Sequence, residues 1–435
     1  MITPASVSRQ LTSVPEGTPR VLIVGAGIAG ITLAQLLRGQ GLAPVLVDRS
    51  ADAQRMIGDN RAGYMLALMP MVDPIIDALG AREGYLYSSV GIERYIAHAH
   101  TGRVLRQDQL GELLAEYGDY RGISRSELLT VLTGAETPVA FATTVQGLVD
   151  DKESVTVTWA GGAADDPGCT EFDIVVIADG MNSRTRTLVP AHSREAADTV
   201  DTAWGGWVCW ADADGSPDAV EEIWGDGFFL GMYPVKDGIG VFLGCPDSRQ
   251  PLGPRRFAGE VRAKLKEVSP RIDACLEAIG TSEDPFFWPL RDARARRWAV
   301  GRTVLLGDAA AGFLPTAGIG AGMAMESASM LAEELLGADR EDPAAALDRF
   351  EARQRPRVEA AHDNSRSLAG LMFDRSRLLA AVRDQVFRVL SIRTALKPIL
   401  RLLEAPMVSS APIGSQRSPR LSGGAQVCLP MGEDR

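Results

Sequence analysis

The chain has 435 residues, 46% hydrophobic and 23% charged, with a formal net charge of -11. That length calls for two or three substructures rather than one small core, and the composition is that of an ordinary globular enzyme. The acidic balance, without a basic tract interleaved with aromatics, excludes a nucleic-acid binder.

Residues 1–19 are polar, contain Pro4, Pro15 and Pro19, and lack the apolar core of a signal peptide, so they are expected to form a flexible tail. Val21 to Val24 then runs straight into Gly25-Ala-Gly27-Ile28-Ala29-Gly30. The apolar run reads as a buried parallel strand, and Ile31 to Arg38 as a helix ending at Gly39. Strand, tight turn and helix in that order place a helix N-terminus under the turn. Its unpaired N–H groups and partial positive charge suit a pyrophosphate. Gly25 permits the turn, Gly27 admits the phosphates and Gly30 lets helix and strand pack closely. A second strand, Val45 to Val47, ends in Asp48, 23 positions after Gly25, close to the spacing of a ribose-hydroxyl acceptor. These features together predict a dinucleotide site.

Arg49 to Arg61 is polar and loop-like, and Pro74 to Leu79 is expected to be helical. A hairpin over residues 90–106 turns at Thr101-Gly102. Ser124 or Ser126 caps a helix running to Leu132. Val155 to Trp159 alternates as a strand, and Phe172 to Ala178 is a buried strand with Asp179-Gly180 at its end. Residues 200–290 hold five of the seven tryptophans and read as a second sheet covering a pocket. The first pattern returns in Arg302 to Leu306, followed by Gly307-Asp308 and a long helix from about Gly320 to Leu336. Residues 346–366 look helical. Residues 375–403 form one or two basic amphipathic helices, with Leu378, Leu379, Val382, Val386, Val389 and Leu390 at helical spacing and Pro398 as a break. Packing of that apolar face on the protein body is the expected arrangement, with membrane-surface contact as the alternative. No stretch of about 18 apolar residues predicts a spanning helix. Five cysteines without CxxC spacing fit a reducing, cytoplasmic setting, and the four histidines have no metal-ligand spacing.

Three motifs, in this order and at these separations, resemble the FAD-dependent aromatic hydroxylases, single-component flavoprotein monooxygenases with a para-hydroxybenzoate-hydroxylase-like fold. They are Gly25 to Gly30 with Asp48, Val176 to Arg186 around Asp179-Gly180, and Gly301 to Ala311 around Asp308 continuing through Pro315 and Gly318-Ile319-Gly320. Ile123 to Leu129 adds Arg125, and Arg61 to Met65 is similar to a loop of the salicylate- and tetracycline-modifying branch. The resemblance implies an α/β fold, a Rossmann-like FAD-binding domain with an inserted mainly-β substrate domain and C-terminal helices. The FAD domain is expected over 20–85, 120–199 and 291–340, the substrate domain over 86–119 and 200–290, the helices over 341–405, and a disordered tail over 406–435.

The same resemblance implies that Gly25, Gly27, Ile28, Ala29, Gly30, Asp48, Arg49, Arg61, Arg125, Asp179, Asp308, Pro315, Gly318, Ile319 and Gly320 hold FAD. Asp48 would meet the adenosine ribose and Asp308 the ribityl chain. Relatives carry histidine where this chain has Ala311, glutamine at Ile319 and aspartate at Ser327, so contacts there would come from backbone. Trp207, Trp224, Phe229 and Tyr233, with Pro315, would line the substrate pocket; no general base is nominated. The implied reaction inserts one oxygen from O2 into an aromatic, phenolic or polycyclic small molecule through a flavin C4a-hydroperoxide, with NAD(P)H as reductant. Epoxidation, Baeyer–Villiger oxidation or isoprenoid double-bond reduction on the same fold, and a non-catalytic binding protein, remain the alternatives. A monomer or homodimer is expected.

Overall fold

A computed structural model describes the chain except residues 59–63, 165, 167, 195–196, 213–215, 284, 339–341, 374–375, 390 and 406–435. Arg61 and the expected tail 406–435 therefore lie outside the described residues.

The glycine motif opens from a five-stranded sheet ordered Ala299–Val300, Thr303–Leu305, Ile174–Ile177, Val21–Val24, Val45–Val47. The last four strands are mutually parallel. Every residue of those four is buried, which is why, Thr303 apart, they read as apolar runs rather than alternating ones. Helices Ile28–Gly39 and Gly320–Leu336 pack against one another beside this sheet.

The aromatic-rich segment builds a seven-stranded sheet ordered Phe286–Arg294, Asp198–Asp212, Gly238–Pro246, Phe229–Val235, Ala219–Trp224, Arg94–His98, Val104–Gln109. Its two faces divide the aromatics by the strand period of two. Trp204, Trp224, Phe229 and Phe242 cluster on one face with Leu290 and Leu314. Trp207, Ile223, Leu230, Met232 and Val241 cluster on the other, against Phe257, Val261, Ile272 and Leu276 of helices Pro254–Lys264 and Pro270–Thr281.

The N-terminal segment departs from the expected tail. Ile2–Pro4 pairs in parallel with Thr137–Val139, and Val7–Thr12 is a helix capped by the Ser6 side chain. Gln10 Nε2 donates to the Leu46 carbonyl at 3.1 Å and its Oε1 accepts from the Leu46 N–H at 2.9 Å. A glutamine amide thus pairs with both backbone groups of Leu46 on the outer edge of Val45–Val47, where the Ala140 N–H also reaches the Leu46 carbonyl at 2.9 Å, a use of a polar residue that polarity alone reads as disorder.

The C-terminal region also differs in detail. Residues 343–372 form one helix, followed by three shorter ones, Arg377–Val389, Ile392–Ala395 and Lys397–Glu404. Pro398 sits in the first turn of the last helix, where its missing N–H costs nothing, rather than breaking one. Helix Arg377–Val389 faces the opposite way from its apolar stripe. Leu378, Leu379, Val382, Val386 and Val389 are exposed, while Ala380, Arg383 and Asp384 are buried. Arg383 donates to the carbonyls of Leu371, Trp224 and Gly225, and Asp384 Oδ2 meets His100 Nδ1 at 2.6 Å. These polar anchors set the orientation that the apolar spacing did not. Among the described residues no helix is long and apolar enough to cross a membrane.

Candidate active site

One cleft of about 800 Å³ runs between the C-terminal ends of the parallel strands and the Trp224 face of the large sheet. This is where ligands bind in α/β sheets of this kind.

At the near end Gly25 has φ +109°, and a Cβ there would meet the Ala178 carbonyl oxygen at 2.4 Å. A Cβ on Gly30 would lie 2.0 Å from the Gly25 oxygen. Gly27 differs: a Cβ there would meet nothing within 4 Å, because it points into the cleft. The first intrahelical bond is Ile31 N–H to Gly27 carbonyl at 2.9 Å, so the N–H groups of Ile28, Ala29 and Gly30 precede the ladder. Asp48 is held rigidly, its Oδ2 accepting from the Ala26 N–H and its Oδ1 from the Ser50 N–H, both at 2.7 Å. Arg49 lines the cleft beside it.

Farther in, Asp179 follows strand Ile174–Ile177, and its Oδ1 is buried without a hydrogen-bond partner. Asp308 follows Thr303–Leu305, and its side chain lies within the cleft, exposed to the cleft interior. Loss of solvation pushes its pKa up to about 6, while the nearby Arg125 guanidinium pulls it down. Burial likewise raises the Tyr64 hydroxyl, with the Asp308 charge adding to it. Pro315–Ala317 and Gly318, left-handed at φ +63°, lead into the 17-residue helix Gly320–Leu336. Its N-terminus opens onto the cleft, and its positive end would oppose negative charge there.

An open glycine cradle at a helix N-terminus, a fixed carboxylate one strand away, an orphaned Asp179 oxygen and a cleft-facing Asp308 fit a dinucleotide carrying a polyhydroxyl chain. Gly25, Gly27, Ile28, Ala29, Asp48, Arg49, Arg125, Asp179, Asp308, Pro315, Gly318 and Gly320 all line the cleft. Gly30 and Ile319 do not: Gly30 is closed over by the turn, and the Ile319 side chain is buried in the core.

At the far end Trp224, Phe229 and Tyr233 line the cleft, as do Tyr95, Tyr120, Phe242 and Trp288. Trp207 does not. It lies on the reverse face, its ring 5.6 Å from Phe257 and 5.1 Å from Phe287, three residues and hence one pleat parity away from Trp204. Sequence reasoning also missed Glu222, Arg106 and Asp108 on the cleft wall. The available signal was a lone carboxylate at alternate spacing between Val220 and Trp224. Helix Arg377–Val389 roofs this end, with Phe387 edge-on to Trp224 at 4.7 Å.

The chain belongs to the family described as the FAD binding domain, which it matches over residues 18–365, and FAD is its cofactor. Among individual proteins it is 29% identical over 380 residues to a 3-amino-4-hydroxybenzoate 2-monooxygenase of Streptomyces platensis, covering 82% of this chain and 89% of that one. It is also 29% identical over 412 residues to a 6-methylpretetramide 4-monooxygenase of Streptomyces rimosus, covering 88% and 91%. The fold is that of Klebsiella pneumoniae HpxO, solved with FAD and uric acid, with a TM-score of 0.76 at 20% identity over 92% of this chain and 99% of that one.

Proposed function

We propose that this protein is a FAD-dependent monooxygenase that transfers one oxygen atom of O2 to an aromatic, phenolic or polycyclic small molecule, with NAD(P)H as reductant. The observation that carries this reading is continuity: the dinucleotide cradle and an aromatic-walled chamber are two ends of one cleft. Relatives named for a hydroxybenzoate and for a pretetramide support it.

When bound, FAD supplies the electron transfer and the activation of oxygen. The chain supplies position, charge and dryness. The first-turn N–H groups of Ile28 and Ala29 would hold the pyrophosphate, and the Asp48 carboxylate the adenosine ribose. Asp179 and Asp308 offer acceptors to the sugar-like middle. The N-terminus of Gly320–Leu336 turns partial positive charge toward the cleft, where it would favour negative charge on a bound cofactor. Trp224, Phe229 and Phe242 present apolar faces that hold an aromatic ring and displace water. No side chain is assigned as general base.

The test supplies the FAD-loaded protein with NAD(P)H, O2 and a panel of phenols, and weighs the products. Oxygen consumption coupled to a product heavier by one oxygen atom is expected. A product gaining only hydrogen would replace the reading with a reductase. Flavin that bleaches with NAD(P)H yet never passes oxygen to any phenol would count against it.

A further inference from the structure

The chamber wall opposite the dinucleotide cradle carries a charge arrangement of its own. Strand Arg94–His98 runs parallel to Ala219–Trp224, setting Tyr95 beside Val220 and Ala97 beside Glu222. The neighbouring strand places Gly231 opposite Glu222, so Tyr233 is its diagonal neighbour. Glu222 Oε2 accepts from the Tyr95 O–H at 2.8 Å and from Trp224 Nε1–H at 2.9 Å, and Oε1 accepts from the Tyr233 O–H at 2.7 Å. Three neutral donors fix this carboxylate without cancelling its charge. Its two oxygens have room for about four hydrogen bonds, so one acceptor position is left over. Burial foremost, and the Glu222 charge next, hold both tyrosines well above their usual pKa, so they stay neutral donors.

Among the described residues, Arg106 is the cation on this wall, and its charge is matched. Its Nε donates to Asp108 Oδ2 at 2.6 Å, a second arm reaches Asp108 Oδ1, and a third N–H donates to the Phe387 carbonyl at 3.3 Å. Arg383 lies behind the Trp224 ring, on backbone carbonyls, and does not line the cleft. The wall therefore offers a fixed negative charge with a vacant acceptor site, and no described cation there is placed to grip a ligand carboxylate.

Resting on the oxygenase reading of the chamber, we propose that Glu222 is its specificity-determining residue. It accepts a hydrogen bond from an O–H or N–H on the edge of a neutral or cationic aromatic substrate, and its charge turns away aromatic carboxylates. For a phenol, the same hydrogen bond pushes electron density into the ring, which raises the nucleophilicity of the carbon that receives oxygen.

The test uses the FAD-loaded protein without reductant, and reads ligand binding from the change in flavin absorption. The probes are a naphthol and the hydroxynaphthoate of the same skeleton. The naphthol is expected to bind about tenfold or more tighter than its carboxylate twin. In Glu222→Gln the gap should close, chiefly because the hydroxynaphthoate gains. In Asp108→Asn, which leaves Glu222 in place but frees Arg106, the hydroxynaphthoate should gain as well. FAD content and circular dichroism check that each variant is folded, and either variant alone suffices. A hydroxynaphthoate that binds wild type as tightly as the naphthol, a gap unchanged in the folded variants, or no binding of either probe would overturn the proposal. Because no turnover is involved, failure of the oxygenation assay leaves this outcome readable.

Discussion

Replacing Asp308 by asparagine tests whether a bare, cleft-facing carboxylate holds the cofactor. In the folded protein without FAD, loss of solvation pushes its pKa up to about 6, against about 3.9 for an ordinary aspartate. A ribityl hydroxyl donating to it would prefer the ionised form, since hydrogen bonds to charged acceptors contribute about 1.5–3 kcal/mol against about 0.5–1.5 for neutral ones. Asparagine keeps an acceptor but loses the charge, a difference of about 1–2 kcal/mol, or about 5–30-fold in FAD affinity. The pH dependence follows with a definite sign. At about pH 7.5 nearly all Asp308 is ionised, and at about pH 5 only about one part in eleven, so wild-type affinity should fall by up to about tenfold between them. The assay is fluorescence titration of FAD into protein stripped of flavin, across that window, for wild type and Asp308→Asn. The variant should be weaker at pH 7.5 and nearly flat with pH. A wild type that is flat, or a variant with the same slope, would refute the assignment. Without FAD the effect on stability reverses. A raised carboxyl pKa means the folded chain holds more protons than the unfolded one between about 4 and 6 and loses stability as pH rises through that window. The flavin-free variant should therefore melt higher than flavin-free wild type at neutral pH.

The two glycines of the turn should separate stability from binding. Gly25→Ala places a methyl 2.4 Å from the Ala178 oxygen at φ +109°, so about 2–4 kcal/mol of stability should be lost, seen as a lower Tm even without flavin. Gly27→Ala meets open space, so the flavin-free Tm should hold while FAD binding weakens. Trp207→Ala should cost about 3–5 kcal/mol in denaturant titration, with KM for the aromatic substrate unmoved in protein that remains folded, whereas Trp224→Ala should shift KM. Gln10→Ala leaves the Leu46 N–H without its acceptor, while the Leu46 carbonyl keeps the Ala140 N–H, and should lower Tm by an amount that a change at the neighbouring exposed Arg9 does not.

What the sequence made legible was local. Val21 to Gly30 encodes strand, turn and helix within one short window, and the strands ending near Asp48, Asp179 and Asp308 declare themselves by unbroken apolar runs. What stayed hidden depends on partners far away in the chain. Nothing around Gln10 says that its amide closes a strand edge at Leu46. The parity of Trp204 and Trp207 could not be assigned from composition, because the shift in strand register between Asp201 and Gly205 resets any count begun at the strand's start. Glu222 reads as one more surface acid until the parallel pairing with Arg94–His98 brings Tyr95 to it across 127 positions. On Arg377–Val389 the apolar period was real, but three backbone carbonyls captured Arg383 and turned the stripe outward.

The helix Arg377–Val389 reaches the chamber through Phe387 from the last part of the described chain, while the motifs proposed to hold the flavin come from three earlier stretches. The surface proposed to grip the cofactor and the surface proposed to close over the ligand are thus inherited from separate portions of the polypeptide. Substitution around Phe387 can re-contour the ceiling without disturbing Gly25, Asp48, Asp179 or Asp308. Selectivity can drift at the carboxyl side of the sequence while the redox apparatus stays as it is.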